Sequence, residues 1–118
     1  MKKWKFLWVM KVEVLNDLYD YGLKIYQDNE LFKFSLDSLL LAEFVNVDKS
    51  DKKLLDICSG NAPLSLIIGK KYNIDITGVE IQREIYMLAI KSIVENNLSN
   101  IEMLNCNAKD LKNYFPGN

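Results

Sequence analysis

The sequence predicts an α/β fold: three parallel strands in the spatial order 3-2-1 with flanking helices, behind an N-terminal hairpin and helix. Three observations carry this. Short apolar runs at 54–57, 74–79 and 101–104 alternate with longer amphipathic stretches. Strand-helix-strand-helix-strand implies a parallel sheet with right-handed crossovers. The run Cys58-Ser59-Gly60-Asn61-Ala62 is a tight loop that hands the chain from the first strand to a helix opened by Pro63. An acid, Glu80, ends the second strand about 20 residues after that loop.

A chain of 118 residues suffices for one domain, and 49% apolar residues can fill its core. Fifteen basic residues stand against sixteen acidic ones, a net charge of −1, so the balance lends no support to electrostatic nucleic-acid binding. With two cysteines and no histidine, a zinc site is excluded. Cys58 and Cys106 end the first and third strands of the sheet, about 10 Å apart across a middle strand. A disulfide needs Cα atoms within about 7 Å, so both read as reduced thiols of a cytoplasmic protein. No stretch approaches the roughly 20 apolar residues of a membrane span.

Residues 1–10 read as an extension upstream of a start at Met10. Their apolar run is short, Lys11 interrupts it, and no small-residue cleavage site follows. The domain occupies 11–118, with a hairpin and helix over 22–45 and the sheet-forming half over 53–115. Leu23-Lys24-Ile25-Tyr26 and Leu31-Phe32-Lys33-Phe34 alternate around Gln27-Asp28-Asn29-Glu30, which predicts the hairpin. Ser35 caps a helix from Leu36 to Val45, with Leu36, Leu39, Leu40 and Phe44 as its apolar stripe. The charged stretch 48–53 is a solvated linker. Leu54 to Ile57 is the first parallel strand, and the helix opened by Pro63 runs to about Lys71. Ile74 to Val79 is the second strand. A helix from Gln82 to Glu95 buries Ile85, Leu88, Ala89 and Ile93, and Asn96-Asn97 stops it. Ile101 to Leu104 is the third strand, with Met103 and Leu104 in the core, and Ala108 to Phe115 forms a short helix.

Ligands of such sheets bind outside the C-terminal strand ends. That edge carries Asp56 to Ala62, Glu80 and Cys106-Asn107. Gly60 gives the sharp turn and close backbone approach. Asp56 accepts from loop amides or a ligand ammonium, or only organises the loop and caps the helix. Glu80 accepts from ribose hydroxyls, or is a solvated strand-end carboxylate. Asn107 faces the ligand, or caps the segment after it. A dinucleotide site carries G-x-G-x-x-G so that a helix N-terminus can hold pyrophosphate. The loop here has one glycine, which favours an adenosine ligand without phosphate, and S-adenosyl-L-methionine is the common one.

Asp56-Ile57-Cys58-Ser59-Gly60-Asn61-Ala62-Pro63 resembles the first motif of the class I, Rossmann-like methyltransferases, and Gly78-Val79-Glu80-Ile81-Gln82 resembles the second. Together with Phe34-Ser35-Leu36-Asp37-Ser38-Leu39-Leu40-Leu41-Ala42, these motifs are similar to those of the bacterial tRNA (valine) adenine-37-N6 methyltransferases, over nearly all of 11–115. The resemblance implies S-adenosyl-L-methionine as cofactor and tRNA as substrate, with no metal and no membrane. It implies Asp56, Cys58 and Gly60 at the methionine side, Glu80 on the ribose, Ile81 against the adenine ring and Asn107 at its amino group. Phe34 and Asp37 close over the methionine end.

Cys58 and Ala62 replace motif glycines, and Asn107 replaces an acid. The family's catalytic Asn-Pro-Pro-Tyr, which orients the target amine and stacks on the flipped base, does not occur in the sequence. The expectation is therefore an incomplete, truncated domain with no catalytic residue of its own. It would be marginally stable, with an exposed strand edge open to a second polypeptide. Two alternatives remain: another class I methyltransferase of the protein glutamine-N5 type, and a non-catalytic remnant.

Overall fold

The computed structural model describes residues 13–18, 21–28 and 36–115. Its elements run β1 (Glu13–Asp17), β2 (Lys24–Asp28), α1 (Leu36–Phe44), β3 (Lys53–Ile57), α2 (Pro63–Lys71), β4 (Asp75–Val79), α3 (Arg83–Glu95) and β5 (Ile101–Leu104), followed by a 3₁₀ helix at Ala108–Asn113. β3, β4 and β5 form the expected parallel sheet with β4 in the middle. The register sets Asp56 beside Gly78, and Gly78 beside Met103.

The middle strand is short on side-chain volume for a reason. A Cβ on Gly78 would lie 2.5 Å from the Met103 sulfur. Met103 is buried and covers that backbone, so β4 and β5 pack closely through a residue with no side chain. α2 and α3 lie against the sheet with Leu66, Ile67, Ile68, Ala89 and Ile93 in the core, among Ile76, Ile101 and Met103. All four residues expected on the buried face of α3 are buried there.

The N-terminal pairing differs from the sequence expectation. β2 pairs antiparallel with β1, with Leu15 opposite Tyr26. The second arm of the expected hairpin, Leu31 to Phe34, lies outside the described residues. β1 reads Glu-Val-Leu-Asn-Asp and lacks the apolar-polar alternation that signals a strand. What holds β2 is its other edge. Tyr26 N–H donates to Ser92 Oγ (2.8 Å), and Lys24 N–H donates to Asn96 Oδ1 (2.8 Å). Asn96 Nδ2 returns a bond to the Lys24 carbonyl (2.6 Å). Ser92 and Asn96 are one helical turn apart, so α3 offers β2 a polar row in place of a third strand. Lys91 and Glu13 add an ion pair between α3 and β1.

α1 also departs from expectation. It packs on α2 through Leu39 and Ala42, while Leu40 (58% exposed) and Phe44 (85% exposed) face outward. The contact is a narrow i, i+3 line rather than a broad stripe. The segment 108–115 forms a 3₁₀ helix that ends at Asn113. Among the described residues no helix is long and apolar enough to cross a membrane.

Gly78→Ala should lower the unfolding free energy by about 1–3 kcal/mol, the usual cost of overpacking. Urea unfolding followed by far-UV circular dichroism measures it. An unchanged midpoint would show that Met103 moves aside freely.

Candidate functional site

The C-terminal strand ends converge as the topology requires. Past β3 the ladder continues for one bond, Ser59 N–H to the Val79 carbonyl (2.9 Å), and past β4 for another, Glu80 N–H to the Leu104 carbonyl (3.1 Å). Between them the chain turns with Ala62 N–H on the Ser59 carbonyl (2.9 Å). Gly60 has φ +60°, the left-handed region that glycine enters without strain. Cys58 (φ +59°) and Ala62 (φ +69°) adopt the same region. The loop thus keeps a three-glycine backbone with one glycine, at a cost of about 1–2 kcal/mol for each substituted position.

Glu80 is the centre of the edge. It is 7% exposed. Its Oε1 accepts from Gly60 N–H (3.0 Å) and its Oε2 from Gln82 N–H (2.8 Å). Asn105, a residue the sequence did not single out, donates through Nδ2 to the carbonyls of Glu80 (2.9 Å) and Ile81 (3.1 Å). It ties the end of β5 to the end of β4. A cleft of about 360 Å³ opens here, lined among others by Cys58, Gly60, Glu80, Ile81, Cys106 and Asn107. Ile81 is 60% exposed and offers an apolar surface at its rim. Asn107 caps the 3₁₀ helix by accepting from Lys109 N–H (2.9 Å), which leaves its carbonyl oxygen a second lone pair. Both cysteines are free.

Asp56 is not among the residues that line this cleft. It is buried and accepts from Ser65 Oγ (2.6 Å), a side chain in the first turn of α2. The N-cap of α2 is Ala62, which has no side chain to satisfy the helix start. Asp56 supplies an acceptor there from the neighbouring strand. Burial lifts its carboxyl above the ordinary aspartate range, against hydrogen bonds from Ser65 that pull it down. Asp37 is exposed on α1, and Phe34 lies outside the described residues.

A larger hollow of about 490 Å³ lies under Leu54, Leu55, Leu111 and Phe115. Its polar lining is Lys53, Thr77 and Lys112, with no carboxylate to receive sugar hydroxyls. Among the described residues no group of three or more metal-ligating side chains occurs.

The edge therefore presents a single-glycine turn clasped to a buried acid, over an open apolar-rimmed cleft. Residues 50–118 match the family described as "Putative methyltransferase". The chain belongs to this methyltransferase family. A tRNA (guanine-N(7)-)-methyltransferase from Geobacillus sp. (strain WCH70) is 42% identical over 43 residues, 36% of this chain and 20% of that protein. One from Oceanobacillus iheyensis is 37% identical over 62 residues, 52% of this chain and 29% of that protein. The chain spans less than a third of these curated relatives. Among solved structures, M. jannaschii TYW2 in complex with AdoMet aligns with TM-score 0.75 at 14% identity, covering 86% of this chain and 47% of that one. Pyrococcus abyssi tRNA (uracil-54, C5)-methyltransferase in complex with S-adenosyl-L-homocysteine aligns with TM-score 0.63 at 17% identity, covering 82% and 24%. These likenesses establish the Rossmann-like methyltransferase fold.

The raised Asp56 pKa has a defined sign. The folded chain keeps this proton to higher pH than the unfolded chain does. The stability it contributes is full below the ordinary aspartate value and is lost as pH rises through the folded value. Asp56→Asn never acquires the buried charge. The variant should therefore gain stability relative to the parent as pH rises from below the ordinary aspartate value through the raised folded value. Denaturant titrations across that range measure the difference, and a flat difference would remove burial as the dominant influence on Asp56.

Proposed function

We propose that this methyltransferase chain forms the S-adenosyl-L-methionine-binding half of a tRNA base methyltransferase. The observation that carries the proposal is the Glu80 carboxylate, buried and aimed by the amides of Gly60 and Gln82 at the mouth of the cleft. Each oxygen spends one lone pair on an amide and keeps another. Two adjacent ribose hydroxyls can donate to those free positions. Ile81 gives the adenine ring an apolar face, and the Asn107 oxygen accepts from its amino group. Cys58 and Gly60 border the methionine end, near the N-terminus of α2. Asp56 acts there by holding the helix start. Asp37 and Phe34 belong to the segment that resembles the tRNA enzymes and are assigned to the same end.

The cofactor, when bound, supplies an electrophilic methyl on a sulfonium. The chain's own residues bind and orient it, and the target base comes from elsewhere. For the target we propose the exocyclic amine of adenine 37 in the anticodon loop. The Ser59-Gly60-Asn61 and Gly78-to-Gln82 motifs, with the run from Phe34 to Ala42, support that reading. A second reading, the N7 atom of a guanine in tRNA, is favoured by the names of the two curated relatives. The two differ in chemistry. The adenine amine shares its lone pair with the ring and needs acceptors on its protons, whereas guanine N7 carries a free lone pair.

Calorimetry with S-adenosylhomocysteine should detect one site. Glu80→Ala should weaken it by about 1–3 kcal/mol, the usual loss for hydrogen bonds to a charged group. No binding to the parent chain would leave a remnant without a cofactor site. For the target, tRNA from cells deleted for the gene is digested and its nucleosides are weighed. Loss of N6-methyladenosine is expected. Loss of 7-methylguanosine instead would establish the second reading, and no loss of either would overturn both.

A further inference from the structure

The loop that borders the proposed cofactor site is fastened to the N-terminal strand pair by one side chain. Asn61 is fully buried, directly after Gly60 and before the left-handed Ala62. Its Nδ2 donates to the Tyr26 carbonyl (3.0 Å), 35 residues away. The N–H of the same Tyr26 is held by Ser92 on α3. One residue of β2 is thus clamped on both sides, its N–H from α3 and its carbonyl from the loop. The remaining Asn61 acceptor, Oδ1, is buried with no hydrogen-bond partner among the described residues. Its orientation is imposed by Tyr26, because the reversed amide would set two oxygens face to face. A buried acceptor left alone is costly, so this amide is held in place against a penalty.

What Asn61 fixes is the residue before it. Gly60 donates its N–H to Glu80 Oε1, one of the two amides that aim the carboxylate. Releasing Asn61 leaves the Ser59–Gly60 peptide, whose N–H meets Glu80, held only by the turn bond from Ala62 N–H to the Ser59 carbonyl (2.9 Å) and by Glu80 itself, so the support of the carboxylate loosens. Glycine has the broadest backbone freedom of any residue, so nothing intrinsic to Gly60 replaces the tether.

We infer that Asn61 is a positioning residue, which couples docking of the β1–β2 pair to cofactor binding by holding Gly60 against Glu80. The inference rests on the cofactor site proposed above. Coupling of this kind is reciprocal: a docked β2 tightens the site, and an occupied site holds β2.

Hydrogen exchange read by mass spectrometry tests it, because no β2 residue lines the cleft. In the parent chain, saturating S-adenosylhomocysteine should slow exchange of the Ile25–Gln27 amides as well as those at the end of β4 and the start of α3. In Asn61→Ala, and in Asn61→Asp, which keeps the size but removes the donor, protection at β4 and α3 should persist while β2 no longer responds. Affinity should fall at least tenfold in both. If circular dichroism shows that neither variant folds, Ser92→Ala loosens β2 from the far side without touching the loop, and it too should weaken ligand binding. Ligand binding without β2 protection in the parent, β2 protection undiminished in the Asn61 variants, or unchanged affinity in Ser92→Ala overturns the coupling and leaves the cofactor site standing. No binding to the parent overturns the site and the coupling together.

Discussion

The whole C-terminal edge depends on one buried carboxylate with two backbone amides. Glu80 would be an expensive group to bury alone, since removing a charge from water costs several kcal/mol even in a relaxed protein interior. Two charge-assisted hydrogen bonds offset that cost, and they come from different directions: Gly60 precedes it in the chain and Gln82 follows it. The consequence is geometric. The loop after β3 cannot move away from the tip of β4 without stranding a buried charge. The extra ladder bonds of Ser59 and Glu80, and the Asn105 bridge, extend the sheet to the same point. The acid is therefore held ready on three strand ends, which is what an acceptor needs if it is to meet two hydroxyls at fixed separation.

That arrangement stores strain and distributes its support. Cys58 and Ala62 hold left-handed backbone without being glycine, and Ala62 leaves the start of α2 without a side-chain cap. Two side chains of this segment reach out for the support the backbone lacks. Asp56 reaches from β3 to Ser65 in the first turn of α2, and Asn61 reaches to β2. The pattern explains why the N-terminal strand pair belongs to the domain at all. It buries Ile25 in the common core and satisfies polar groups of both α3 and the loop.

The parallel half of the fold was legible because its signals are local. Apolar runs, Pro63 at the helix start, the Asn96-Asn97 stop and the period of α3 each act within a few residues, and the structure follows them to within a residue or two. Glu80 was legible for the same reason, as an acid at a strand end at a fixed distance from a glycine turn. β1 was not, because its pairing is decided by what binds the far edge of β2. The roles of Ser92, Asn96 and Asn61 rest on bonds that span 66, 72 and 35 residues, and such bonds leave no periodicity to read. Asp56 was placed correctly on its strand, and its alternative role as organiser of the helix start is the contact the structure displays. α1 shows the limit of periodicity: its apolar residues could mark a stripe, but the area actually covered is set by the surface it meets.

The proposed cofactor site bears on one of two choices that a methyltransferase makes. In the proposed reading the strand ends select the donor, with Glu80 for a ribose, Ile81 as an apolar face for a purine and no glycine-rich cradle for pyrophosphate. They do not select the acceptor. Solved structures that share this fold at under 20% identity carry the name of a uracil C5 enzyme in one case and of TYW2 in another, and the relatives matched by sequence carry that of guanine N7 enzymes. One scaffold thus tolerates target atoms as different as a ring carbon and a ring nitrogen. The fold can argue for the methyl donor, whereas the target must be argued from short motifs such as the run from Phe34 to Ala42. Those motifs and the fold bear on different halves of the reaction, which is why agreement on the first leaves the second to nucleoside analysis.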